Sequence, residues 1–218
     1  IMNFQSVSKS CGLVLVPSVL RKVVCDVRCI TYSLNFFGWE SDSYSSEGQD
    51  LDLAVVVGTV FNEVLVWNAL EDSEAKSMLK DTAVKISRKP VNHRLVGHEG
   101  VIHSTAIGAG GKYIVSTSDD RTVRLWGQKG SPLDVRKIFC RDTEYGLIWT
   151  GYGHAARVWD SAFVSLYNHS QENRCDGIVT VGEDSTIRIW KIDNGQQVAT
   201  LKGHCCQSVW NVASNDCG

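Results

Sequence analysis

Charge of one sign is what this sequence lacks most plainly. Lys and Arg number 22 against 24 Asp and Glu, a formal net charge of −2 over 218 residues. The broad positive field that gathers nucleic acid is therefore missing. RNA binding through a local patch or a second subunit stays open, whereas DNA is not an expected partner. Membrane-spanning runs are missing as well. The apolar run Cys11 to Leu20 contains Pro17 and is too short to cross a bilayer. No small-residue cleavage pattern follows it, so it reads as a buried strand rather than as a signal peptide, and no membrane partner is expected.

The eight cysteines contain no CxxC pair. Cys25 and Cys29 stand close together, but no His or further Cys lies near them in sequence to complete a zinc site. Several others fall inside apolar strand patterns, and Cys205 and Cys206 are adjacent. Free, mostly buried thiols in a reducing compartment fit this placement better than a disulfide framework. The expected location is the cytoplasm, where the acceptor sequence Asn168-His169-Ser170 is inert.

Catalytic signatures are equally scarce. Gly108-x-Gly110-Gly111-Lys112 has the wrong spacing for a phosphate loop, and Tyr113 stands where a Ser or Thr would bind magnesium. A hairpin turn is the simpler reading. His93, His103 and His169 have no metal-ligand spacing. The acidic stretch Ser41 to Asp52 reads as a solvated linker, and no carboxylate pair suggests acid–base work. No glycine-rich loop joins a strand to a helix, so the chain has no obvious place to hold S-adenosylmethionine. Catalytic, cofactor-binding and metal-binding residues are all expected to be absent. Helical periodicity is confined to Glu71 to Leu79. The class is all-β.

What is present is a repeat. Gly97-His98 opens a unit that closes with Ser118-Asp119-Asp120-Arg121-Thr122-Val123-Arg124-Leu125-Trp126. Gly153-His154 opens the next, closing with Gly182-Glu183-Asp184-Ser185-Thr186-Ile187-Arg188-Ile189-Trp190, and Gly203-His204 opens a third. A degenerate unit ends at Gly58-Thr59-Val60-Phe61-Asn62-Glu63-Val64-Leu65-Val66-Trp67. Short β-rich runs, Asp-rich turns and alternating strands recur in order. Val123 and Leu125 share one face, as do Ile187 and Ile189, while Arg124 and Arg188 point the other way.

Gly-His followed by Asp six residues before a closing Trp resembles the WD-repeat pattern of a β-propeller blade. The resemblance implies a hydrogen-bond chain in each blade, from Trp through Ser or Thr to His, with the turn Asp on the other side of the imidazole. Here it maps onto His98, Ser116, Asp120 and Trp126, and onto His154, Thr180, Asp184 and Trp190. Such chains satisfy buried polar groups. A hydrolase triad is the competing reading of Ser, His and Asp, but the set recurs per blade and no nucleophile-elbow motif accompanies it.

The expected organisation is an incomplete propeller of about three to four blades belonging to a larger one. It comprises a degenerate blade at about 24–68, an inter-blade insertion at about 69–94, blades at about 95–152 and 153–202, and a truncated blade at 203–218. Residues 1–23 are unassigned. His98 to Trp126 spans 28 residues and His154 to Trp190 spans 36, the excess falling at Asn168 to Asp176 as a surface loop. In the degenerate unit Phe61 replaces the turn Asp, so that turn must be held another way. Starting at Ile1-Met2-Asn3 and stopping soon after a Gly-His, the sequence reads as an excerpt of a longer polypeptide whose terminal blades leave open faces.

Three segments resemble one group more closely: Gly58 to Trp67; Leu95 to Ile102 with Ser118 to Trp126; and Gly153 to Trp159 with Gly182 to Thr186 and Gly203 to Trp210. They are similar to the WD-repeat protein six family. That resemblance implies a non-catalytic regulator that binds a tRNA 2′-O-methyltransferase and helps position tRNA for ribose methylation at the wobble nucleotide. S-adenosylmethionine would be held by the partner enzyme. Candidate contacts to partner or RNA are Arg121 and Arg157, near inter-strand turns, and the basic stretch Lys85, Arg88, Lys89 and Arg94. Trp159 and Trp210 read as core rather than as stacking platforms. The alternative is a general protein-interaction propeller, in trafficking or as a ubiquitin-ligase adaptor.

Overall fold

The computed structural model describes residues 31–45, 48–68, 93–108, 111–128, 145–166 and 176–214. Outside them lie the Cys11 to Leu20 run, the helical stretch Glu71 to Leu79, and Lys85, Arg88 and Lys89. Residues 168–175 of the long surface loop lie outside as well.

Among the described residues, twelve strands form three four-stranded antiparallel sheets, each a meander in chain order. The first contains β1 (Thr31–Ser45), β2 (Gly48–Thr59), β3 (Glu63–Asn68) and β4 (His93–Val96). The second contains β5 (Ile102–Gly108), β6 (Tyr113–Ser118), β7 (Val123–Gln128) and β8 (Tyr145–Gly151). The third contains β9 (Val158–Val164), β10 (Gly177–Gly182), β11 (Thr186–Lys191) and β12 (Gln197–Lys202). These are all-β blades of an incomplete WD-repeat propeller. Gly97-His98 and Gly153-His154 each follow the outermost strand of one sheet and lead the chain to the innermost strand of the next. The sequence unit and the sheet are thus offset by one strand.

One expectation is corrected. Of the stretch Ser41 to Asp52, read as a solvated linker, residues 41–45 belong to β1 and 48–52 to β2, with Glu40 opposite Leu51 and Tyr44 opposite Gln49. Strand pairing satisfies the backbone whatever the side-chain polarity, so a polar run at a hairpin tip carries little strand signal.

Apolar residues fill two layers between the sheets. Val56, Val64, Val66 and Leu95 of the first sheet meet Ile102, Ile114 and Trp126 of the second. Val115, Val123 and Leu125 of the second meet Val158, Phe163, Ile178 and Trp190 of the third. Trp126 and Trp190 therefore each pack toward the preceding blade. The second sheet is covered on both faces, so Val123 and Leu125 are wholly buried. Their counterparts Ile187 and Ile189 are only half-buried.

The turns joining β2 to β3, β6 to β7 and β10 to β11 share one device. Asn62, Arg121 and Ser185, at matching positions, adopt φ of 65°, 66° and 63°. Asn tolerates this left-handed conformation better than Arg or Ser, so the two regular blades hold theirs by side-chain bonds. In the degenerate blade Thr59 does the holding. Its Oγ1 accepts from the Phe61 and Glu63 amides at 3.2 Å each and donates to the Glu63 carbonyl at 2.8 Å.

Innermost strands are tied side by side. Ser33 Oγ lies 2.9 Å from Thr105 Oγ1, and Asn35 Nδ2 donates to the Thr105 carbonyl. Ser104 Oγ donates to Asp160 Oδ1 at 2.7 Å. The other carboxylate oxygen of Asp160 accepts from the Val212 amide at 3.0 Å. Residues 203–214 contain no strand beyond their docking along β9.

Candidate interaction face and blade tetrads

Antiparallel pairing brings the start of β5, the end of β6 and the start of β7 to one edge, and the same holds for β9, β10 and β11. The Gly-His loop therefore meets the Asp-rich turn. His98 Nδ1 lies 2.7 Å from Asp120 Oδ2, and His98 Nε2 lies 2.7 Å from Ser116 Oγ. Trp126 Nε1 donates to the same Ser116 Oγ at 2.8 Å. With the indole donating, the Ser116 hydroxyl donates its own hydrogen bond to Nε2, which leaves Nδ1 to donate to the carboxylate. The third sheet repeats the arrangement. Trp190 Nε1 donates to Thr180 Oγ1 at 2.8 Å, His154 Nε2 lies 2.9 Å from Thr180 Oγ1, and Nδ1 is 3.0 Å from both Asp184 oxygens.

Two further residues join each chain that the sequence reading left out. Thr122 donates its hydroxyl to Asp120 Oδ1 at 2.6 Å and its amide to the same atom at 2.9 Å. Thr186 does the same to Asp184 Oδ1, at 2.7 and 3.1 Å. The signal was available in the Asp-x-Thr spacing common to both turns. The Glu99 and Ala155 amides donate to the remaining carboxylate oxygens at 3.0 and 2.9 Å.

Burial pushes both imidazoles below their ordinary pKa, and the attraction of Asp120 or Asp184 only partly opposes it. Burial alone would raise the carboxylates. Hydrogen bonds from His98 and Thr122 overcome it for Asp120, as those from Thr186 and the Ala155 amide do for Asp184, so both fall below the usual range. The result is a neutral His donating to an ionised Asp. Ser116 and Thr180 are wholly buried and their hydroxyls already engaged. A nucleophile needs access to substrate, so these sets are structural pins and not hydrolase triads.

An aromatic ladder crosses the same edge of the sheets. His103, Trp159 and Trp210 each follow the apolar residue that starts the inner strand or its continuation: Ile102, Val158 and Val209. His103 and Trp159 have ring centroids 4.6 Å apart, and Trp159 and Trp210 stack at 4.6 Å with 29° between planes. Trp159 is half-buried, but Trp210 is 64% exposed. This corrects the expectation that both belong to the core. One face of Trp210 rests on Trp159 and the other is open. Phe61, Val96 and Tyr152, in or beside the loops at this edge, are exposed too.

The candidate cations are engaged. Arg157 reaches across to Asp119 of the preceding sheet at 3.3 Å and to Glu183 at 3.9 Å, and lies 5.9 Å over the Trp159 ring. Arg121 reaches the Ala155 carbonyl at 3.5 Å. Arg94 pairs with Glu63 at 2.8 Å. The structure thus brings Arg121 and Arg157 to one edge between the second and third sheets, while Arg94 belongs to the first. Arg88 and Lys89 lie outside the described residues. Cys205 and Cys206 are free and exposed in a surface turn; the other six cysteines, on which the expectation of mostly buried thiols rests, lie outside the described residues. Among the described residues no group of three or more His, Cys, Asp or Glu could hold a metal ion. No helix among them is long and apolar enough to cross a membrane.

A family model described as "WD domain, G-beta repeat" matches residues 89–127 and 146–191. These segments carry both tetrads. The tRNA (34-2'-O)-methyltransferase regulator WDR6 of Homo sapiens is 27% identical over 207 residues, which is 93% of this chain and 15% of that protein. The chain is thus similar to WD40 repeats over those two segments and to WDR6 proteins along most of its length. The Drosophila melanogaster protein of the same description is 27% identical over 163 residues, 73% of this chain and 14% of its own length. The solved WD40 propeller domain of Doa1 has a TM-score of 0.49 and 20% identity, covering 75% of this chain and 41% of that one. The chain thus spans about 15% of the length of the WDR6 relatives it matches.

Proposed function

We propose that these blades belong to a cytoplasmic, non-catalytic scaffold that binds a tRNA 2′-O-methyltransferase and helps present tRNA for ribose methylation at the wobble nucleotide. The observation that carries this reading is the relation to WDR6 regulators, which runs through nearly the whole chain, degenerate first blade included. The physical form suits the task. Tetrads pin the two regular blades, and pinned blades present loops whose exposed aromatic and apolar tips can dock a partner without a large ordering cost. S-adenosylmethionine belongs to the enzyme in this scheme. The scaffold supplies proximity, holding enzyme and tRNA together so that the target ribose meets the methyl group.

The ion pairs of Arg94 and Arg157 favour protein docking over extensive phosphate binding at those two positions. A guanidinium already neutralised by Asp119 or Glu63 attracts a phosphate less than a free one does. Affinity purification of the full polypeptide from cells tests the reading. A 2′-O-methyltransferase with tRNA should co-purify in near-stoichiometric amount. Recovery of the scaffold with trafficking or ubiquitin-ligase components, and no methyltransferase, would replace it with the general interaction propeller.

A further inference from the structure

The turn after β12 departs from its counterparts. Gly97 to Ile102 and Gly153 to Val158 each cover five steps, whereas Gly203 to Val209 covers six. The extra residue falls in the four-residue turn His204-Cys205-Cys206-Gln207, closed by the Gln207 amide donating to the His204 carbonyl at 2.8 Å. Both central residues are left-handed, with φ of 38° at Cys205 and 64° at Cys206. That is the pattern of a primed turn, which favours Gly or Asn. Here two adjacent cysteines bear the strain, both thiols free and exposed. Neither counterpart loop contains a left-handed non-glycine residue.

We propose that Cys205 and Cys206 form a redox-modifiable vicinal dithiol that closes to a disulfide by exchange with a small-molecule disulfide of the glutathione class. One cysteine, as thiolate, attacks the small disulfide, forming a mixed disulfide and releasing one small thiol. The second, losing its proton, attacks the protein sulfur of that mixed disulfide, closing the ring and releasing the second small thiol. Two protein thiols are oxidised and one small disulfide is reduced to two thiols.

Adjacent α-carbons lie about 3.8 Å apart across a trans peptide, below the roughly 4.4–6.8 Å that ordinary disulfides span. The eight-membered ring is therefore strained and readily reduced, as a reversible modification requires. Closure also ties together ψ of Cys205 and φ of Cys206, which the present turn sets independently. The consequence passes down the chain. Three residues on, the Val209 amide donates to the Gly182 carbonyl at 3.1 Å, Trp210 stacks on Trp159, and the Val212 amide bonds Asp160. Oxidation should loosen this docked segment.

The test treats the reduced full chain with excess glutathione disulfide, quenches it with an alkylating agent, and maps peptides by mass. The peptide holding both cysteines should be unalkylated and lighter by two hydrogen atoms, and should revert on reduction. Cys206→Ser should stop at a glutathione adduct on Cys205. Amide exchange at Val209 and Val212 should rise roughly tenfold on oxidation of the native chain, and not in that variant. Stable adducts on both cysteines, links to other cysteines or between chains, or a closed ring with unchanged exchange would each overturn the proposal.

Discussion

His154 concentrates the residue-scale argument. Replacing it with Ala leaves Thr180 and Asp184 without a shared partner inside the third sheet, while the Trp190 indole keeps its acceptor. The blade should lose about 1–3 kcal/mol, read as a lower melting temperature by circular dichroism. An unchanged melt would remove the tetrad from the account. The same imidazole gives a pH dependence. His98 and His154 titrate below the unfolded value of about 6.5, so just below that pH the unfolded chain takes up protons that the folded chain refuses. Their contribution is fully present above about pH 6.5 and declines as pH falls below it. The depressed Asp120 and Asp184 act in the same direction at lower pH, below about 3.9, where their unfolded forms protonate. Melting temperature should thus fall from about pH 7.5 to 5, with a shallower slope in a His98→Gln, His154→Gln double variant. Equal slopes would contradict this assignment of the titrating groups.

Elements were legible to different degrees, for physical reasons. The Gly-His, Asp and Trp positions stand at fixed spacing because one hydrogen-bond chain links them, and a chain of fixed geometry leaves a fixed pattern in sequence. The β1–β2 hairpin left none beyond Leu53, since Ser41 to Asp52 pairs through backbone groups that every residue possesses. The ladder of His103, Trp159 and Trp210 was legible only as positions following Ile or Val; stacking between blades is a tertiary fact. The degenerate turn shows an alternative solution to a missing Asp. Thr59→Val should remove its three side-chain bonds and destabilise the first sheet by about 1–2 kcal/mol, measured by denaturant unfolding. If Thr59→Val unfolds at the same midpoint as the parent, something other than the hydroxyl holds that turn.

Across the whole molecule, stability comes from layers between blades rather than from any single blade. Leu125 belongs to the second sheet but packs within the layer shared with the third. Leu125→Ala should cost about 2–5 kcal/mol and raise exchange in β10 as well as in β7. Loss confined to β7 would mean that the sheets are energetically independent. The proposed function draws on the same rigidity, since a scaffold acts by holding others in place. The most direct measurement is methyl transfer to the wobble ribose of tRNA in a purified system. It combines the full polypeptide carrying these blades, a 2′-O-methyltransferase and S-adenosylmethionine, and then omits each protein in turn. The account predicts efficient transfer with both proteins, weak transfer by the enzyme alone, and none by the scaffold alone. Equal transfer by the enzyme without the scaffold, or any transfer by the scaffold without the enzyme, would contradict it.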